Sequence, residues 1–146
     1  VTSQDISNKA FWTEGSEGET PFTFSKREKL CYKRSFDLLF TQRHSFKNGG
    51  LWVTYFFDLP EDLVTFPLMV AFSAPKRNFK KAVSRNLLKR RMREAFRLHK
   101  YACLTELRKE HRSVAILIKY NGRRIRSYQS IEKDMVGVLK HLETLI

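Results

Sequence analysis

The chain has 146 residues, with 28 Lys plus Arg against 15 Asp plus Glu for a net charge of +13, and is 42% hydrophobic and 13% aromatic. That is the length of one domain, with enough apolar material for a core, which excludes wholesale disorder. The longest apolar runs, such as Leu51–Phe57 and Val114–Ile118, fall far short of the ~20 residues a membrane span requires, so no membrane partner is expected.

Residues 1–21 are rich in Ser, Thr, Gly and Glu and read as a flexible acidic tail ending near Pro21. Residues 22–146 read as a single domain. Ser25 precedes a short turn over Lys26–Leu30. From Lys33 to Gln42, Phe36, Leu39 and Phe40 recur at helical spacing. Asn48-Gly49-Gly50 breaks the chain, and Leu51–Phe57, dense in aromatic and β-branched residues, is expected to be a strand. A second strand is expected to cover Leu63–Thr65 or to continue past Pro67, and a third to cover Leu68–Ser73, with Pro67 marking an edge or break between them. Val83–Tyr101 carries the strongest helical pattern. Ser113–Tyr120 reads as a buried strand, Asn121-Gly122 as a turn, and Ser127 as the cap of a last helix with Ile131, Met135, Val138, Leu139, Leu142 and Leu145 on one face. The order is α-β-β-β-α-β-α, an α+β two-layer sandwich.

The charge is concentrated. Between Lys76 and Lys100 there are eleven basic residues against Glu94 alone, a local +10, while the rest of the chain carries +3. On a helical wheel Arg85, Asn86, Lys89, Arg90, Arg93, Arg97 and Lys100 share one arc, and Leu87, Leu88, Met92, Ala95, Phe96, Leu98 and Ala102 the other. Arg91 falls in the apolar arc, with its head expected to reach outward. Like charges one turn apart repel mildly. A polyanion relieves that repulsion, because guanidinium groups meet phosphate in a planar, two-point contact. A merely solvated basic face is the plainer alternative. A helix in a DNA major groove is another, but no second helix with a short turn precedes this one.

Protein-based catalysis finds little support. His44, His99, His111 and His141 are scattered, and no zinc-binding pair, phosphate-cradling glycine loop or nucleophile elbow occurs. Cys31 and Cys103 lack metal-ligand spacing and fit free thiols of a reducing cytoplasm. No secretory signal pattern opens the sequence. The aromatic residues of the first helix and of Leu51–Phe57 read as core, or, where exposed, as stacking surfaces for unpaired bases.

Lys81-Ala82-Val83-Ser84-Arg85-Asn86-Leu87-Leu88-Lys89-Arg90-Arg91-Met92-Arg93-Glu94-Ala95-Phe96-Arg97 resembles the Arg-Asn-Arg motif of the bacterial ribonuclease P protein component throughout its length. Leu30, Phe36 and Phe40 also fit, so the resemblance covers residues 22–146. Where the family has a short Lys-Lys-x-Gly turn before the motif, Ala74–Lys81 is longer, and Lys76 is the best equivalent of the pre-motif lysine. The resemblance implies a fold like domain two of a small-subunit ribosomal protein, with a left-handed β-α-β crossover, against the usual right-handed rule. It implies a ribonucleoprotein in which the RNA subunit, with Mg²⁺, hydrolyses the phosphodiester that joins the 5′ leader to precursor tRNA, with no small-molecule substrate. It further implies that Arg85, Asn86, Lys89, Arg90, Arg93, Lys76, Lys81 and Arg97 contact the catalytic RNA. Phe36, Phe40 and Tyr55 would line the leader cleft. A general RNA chaperone or ribosome-associated protein is the alternative reading, and a protein-only nuclease a third.

Overall fold

The computed structural model describes residues 24–42 and 44–146; the expected acidic tail at residues 1–21 lies outside the described residues. The elements in chain order are α1 (Lys33–Gln42), β1 (His44–Asn48), β2 (Leu51–Phe57), β3 (Leu68–Ser73), α2 (Ala82–His99), α3 (Tyr101–Lys109), β4 (Val114–Tyr120) and α4 (Tyr128–Leu145). The strands form one sheet in the order β1-β2-β4-β3. The pairs β1–β2 and β2–β4 are antiparallel, whereas β3 and β4 are parallel. Joining those parallel neighbours requires a crossover, which α2 and α3 supply. This is the expected α+β architecture, with three differences in detail.

The strand expected at Leu63–Thr65 is absent: Glu61–Leu63 forms a 3-10 turn. The additional strand is β1, which periodicity does not predict because its sequence, His-Ser-Phe-Lys-Asn, holds one large apolar residue. β1 is an edge strand that borrows its order from the ladder with β2. The two-residue loop Gly49-Gly50 closes this hairpin, with Gly49 at φ +57°, the sign that tight hairpin loops favour. A Cβ there would collide with the Asp134 carboxylate, because the hairpin tip docks on α4: Gly50 N–H donates to Asp134 Oδ2 at 2.9 Å and Asn48 Nδ2 to the Asp134 carbonyl at 2.8 Å. The third difference is the long basic helix, which ends at His99; Lys100 links it to a separate α3.

Cross-strand partners point to the same side of a sheet, so register assigns the faces. One face carries Phe46, Leu51, Val53, Ile116, Ile118, Val70 and Phe72. It packs on α2 and α4: the Phe72 and Phe96 rings lie 5.7 Å apart and those of Phe46 and His141 4.3 Å apart. The opposite face carries Trp52, Thr54, Phe56, Ala115, Leu117 and Met69. Helix α1 crosses β2 and β4 on this second side, since α2 and α4 fill the first. Its Leu39 is fully buried, as are Ala115 and Met69 on that side of the sheet. Burying one leucine in this way is worth about 1.5–3 kcal/mol. At the far end, Ser127 Oγ accepts the Ser130 N–H and caps α4 as expected.

Candidate nucleic-acid interface

Helix α2 forms because its apolar residues recur at helical spacing: Leu88, Met92, Ala95 and Phe96 are buried against the sheet and α4. The complementary arc faces outward. Lys81, Asn86, Arg90 and Arg93 are exposed and Lys89 is half-buried. Val83, 79% exposed, and Leu87 join Asn86, Lys89, Arg90 and Arg93 in lining a shallow groove. Cationic heads on an apolar floor suit phosphates flanked by sugars and bases.

Three expected members of this ridge behave differently. Arg85 is half-buried, and its Nη1 donates to the carbonyls of Phe79 at 2.7 Å and Lys80 at 2.8 Å. Lys81 provides no side-chain cap for the helix, so Arg85 braces the entering chain instead. Arg97 makes a two-point pair with Glu94, at 2.6 and 3.1 Å. That pairing holds the Glu94 carboxyl below its ordinary value and raises the Arg97 guanidinium. Lys100, counted in the basic arc, is 2% exposed and paired with Glu28, so it is not part of the ridge. Arg91, expected to reach outward from the apolar arc, is half-buried and donates to the Arg126 carbonyl. Lys76 is exposed in the turn before α2.

The ridge has a boundary near its C-terminal end. His99 Nε2 lies 3.1 Å from Glu132 Oε2, and Tyr128 donates its hydroxyl proton to the same oxygen at 3.0 Å. The His99 contact, then the Tyr128 hydrogen bond, holds Glu132 low. Burial first, then the Glu132 carboxylate, pushes the Tyr128 phenol up to about 12. The outward cationic stretch therefore runs from Lys81 to Arg93.

A second surface lies across the sheet. Phe40 of α1 is 55% exposed and Phe36 half-buried. Tyr55 does not join them. Its register with His44 and Ile116 puts it on the α4 side, where its ring contacts His44, Phe46 and Phe57 at 5.7–5.9 Å. The strand residue that does share the α1 face is Trp52, 44% exposed, with Lys47 and Lys119 as its two cross-strand neighbours. Sequence reasoning counted Trp52 among the aromatic residues that stack bases where exposed, but chose Tyr55 for the cleft. The available signal was the period-two alternation that sets Trp52 opposite to Leu51 and Val53.

Among the described residues no group of three or more His, Cys, Asp and Glu is placed to hold a metal, and no helix is long and apolar enough to cross a membrane. A family model described as Ribonuclease P matches residues 24–143. The structure is similar to that of the Staphylococcus aureus RNase P protein, at a TM-score of 0.58 and 21% identity over 78% of this chain and 94% of that one. It is likewise similar to a Staphylococcus aureus RNase P protein mutant with defective mRNA degradation activity, at 0.58 and 23% over 80% and 88%. At such identities the likeness is one of fold. A search of curated proteins gave no match.

Proposed function

Because the chain belongs to the ribonuclease P protein family, a component of a tRNA-processing endoribonuclease, we propose that its task is to bind the catalytic RNA through the α2 ridge while presenting the α1 face of the sheet to the 5′ leader of precursor tRNA. The observation that carries this reading is the outward cationic stretch of α2, in which Lys89, Arg90 and Arg93 line one groove with Asn86. Two polyanions must approach each other in the holoenzyme, and fixed positive charge between them lowers their repulsion. Asn86 adds a donor and an acceptor for sugar or base edges. Arg85 contributes by fixing the chain that enters the helix. Phe36 and Phe40, with Trp52 on the same face in place of Tyr55, offer ring surfaces on which unpaired leader bases stack.

Chemistry resides in the RNA on this reading. Mg²⁺ takes oxygen ligands, and the ridge offers ammonium, guanidinium and one amide, a donor set that does not fit the ion. We therefore assign Mg²⁺ to the RNA and the precursor, and a cytoplasmic location follows from where that substrate is processed.

The test is reconstitution with the matching RNA subunit at low Mg²⁺. The chain should stimulate cleavage of precursor tRNA at the leader junction, and the Lys89, Arg90 and Arg93 triple alanine variant should not. The log–log salt slope of RNA binding should fall by about 0.7–0.9 for each phosphate that the variant no longer neutralises. Stimulation indistinguishable from that by an unrelated basic chaperone would sink the subunit reading, and cleavage by the chain without RNA would reverse it.

A further inference from the structure

Two loops outside the motif helix meet beside its N-terminal end and form a notch lined by Arg77, Asn78, Asn121, Gly122 and Arg123. We propose that this notch is a second phosphate-binding site, in which Arg77 and Arg123 grip the backbone of the same RNA from two sides. The proposal deepens the RNA-binding reading above and rests on it.

The notch is built. Asn78 Nδ2 donates to the Gly122 carbonyl at 3.2 Å and ties one loop to the other. One residue on, Phe79 is buried, with its ring 5.6 Å from that of Tyr120 at the root of the second loop. The Tyr120 hydroxyl donates to the Arg124 carbonyl at 2.6 Å and accepts the Arg126 N–H at 3.1 Å, which fixes the path of the second loop. Helix α2 braces both loops with arginines of its own: Arg85 holds the Phe79 and Lys80 carbonyls, and Arg91 the Arg126 carbonyl. Loops are ordinarily mobile, and ordering them on binding costs affinity. Here that ordering is already present in the free protein.

The chemistry is one-signed. Among the described residues lining the notch there is no carboxylate, and both arginines are exposed. Two guanidinium groups across a cleft whose remaining lining is amide and glycine repel each other unless an anion lies between them. The planar guanidinium matches phosphate oxygens in pairs, and the asparagine amides complement ribose hydroxyls or base edges. Because Arg85 connects the notch to the first turns of α2, one RNA strand can run from the ridge into it.

Binding of the matching catalytic RNA is measured from 50 to 200 mM salt for five proteins: wild type, Arg77→Ala with Arg123→Ala, Arg77→Lys with Arg123→Lys, the ridge triple at Lys89, Arg90 and Arg93, and Lys109→Ala as an exposed-charge control. Thermal unfolding of each confirms the fold. Over that salt range the affinity of wild type should fall about tenfold more than that of the Arg77/Arg123 variant, the difference expected for two phosphates. Hydroxyl-radical footprints should lose a patch distinct from the one the ridge triple loses. Arg77→Lys with Arg123→Lys should keep the wild-type salt slope. If the Arg77/Arg123 alanine variant matches Lys109→Ala while the ridge triple still weakens binding, the notch is overturned and the RNA reading stands. If both match the control, the RNA reading fails and the notch falls with it.

Discussion

Lys100 and Glu28 form an ion pair that solvent does not reach, their side chains 2% and 4% exposed. Lys100 is the hinge residue between α2 and α3, and Glu28 belongs to the turn over Lys26–Glu28 that precedes α1. Glu28 also accepts the Ser25 N–H at 2.5 Å, and the ammonium lies 5.3 Å from the centre of the Phe24 ring. A charge that the sequence places in the outward basic arc is thus spent on joining the start of the described chain to its middle.

Removing one partner of a buried pair strands the other. Glu28→Ala should destabilise the fold by about 3–5 kcal/mol, whereas replacing Glu28 and Lys100 together with apolar residues of similar volume should recover most of that stability. Urea unfolding of the two variants checks both statements. RNA binding at temperatures where both remain folded should be unchanged by the double replacement.

Arg85 and Lys89 should separate cleanly. Lys89→Ala should lower the salt slope of RNA binding by roughly one phosphate's worth and leave the protein's own dynamics alone. Arg85→Ala removes two hydrogen bonds to the chain ahead of α2. It should speed amide exchange in the first turn of α2, at Ser84 and its neighbours, in the protein without RNA. Unaltered exchange there would make Arg85 a plain RNA contact.

Phe40→Ala should weaken leader-bearing precursor by about 1–3 kcal/mol, the value of one stacked base, and leave mature tRNA binding as it was. Tyr55→Ala, on the opposite side of the sheet, should affect both ligands equally and lower stability. Equal weakening from Phe40→Ala would assign that ring to packing alone. Phe36 is a poorer probe, because it is half-buried against the core.

The two thiols should differ in reactivity. Burial first, then the Glu143 and Glu106 carboxylates, pushes Cys103 up to about 12, while Cys31 is exposed. Only the thiolate reacts. A thiol reagent at pH 8 should therefore titrate Cys31 in the native protein, and Cys103 only after denaturant is added. Rapid native reaction of both would contradict the packing of α3.

Acid should erode the ridge boundary. Glu94 and Glu132 are held below their ordinary value near 4.5 by Arg97 and His99 respectively. The unfolded chain then binds more protons than the folded one as pH falls through this range. The stabilisation is full above about pH 4.5 and is lost below it. Urea midpoints from pH 7 to pH 3 should decline less in a Glu94→Gln, Glu132→Gln variant than in wild type. An identical decline would show that neither contact persists in solution.

Periodicity alone made much of this molecule legible. Leu88, Met92, Ala95 and Phe96 announce the buried side of α2, Val114–Tyr120 a buried strand, and Ser127 the cap of α4, because helical and strand periods leave their mark in the order of side chains. The concentration of charge between Lys76 and Lys100 was likewise countable in the sequence, as was the motif that marks the family. Strand β1 was not legible, since an edge strand half-open to water needs few apolar residues.

What only the tertiary structure decided is which like residues do different work. Lys89 and Lys100 look alike on a helical wheel, yet one meets solvent and the other Glu28, 72 positions away in the chain. Tyr55 and Trp52 look alike in a run of aromatic residues, yet pleat and register send them to opposite faces. Arg77 and Arg123 line one notch only because β3 and β4 lie side by side. Composition and period are properties of short stretches and survive in the sequence; the pairing of distant charges and faces is set by packing, which no short stretch contains.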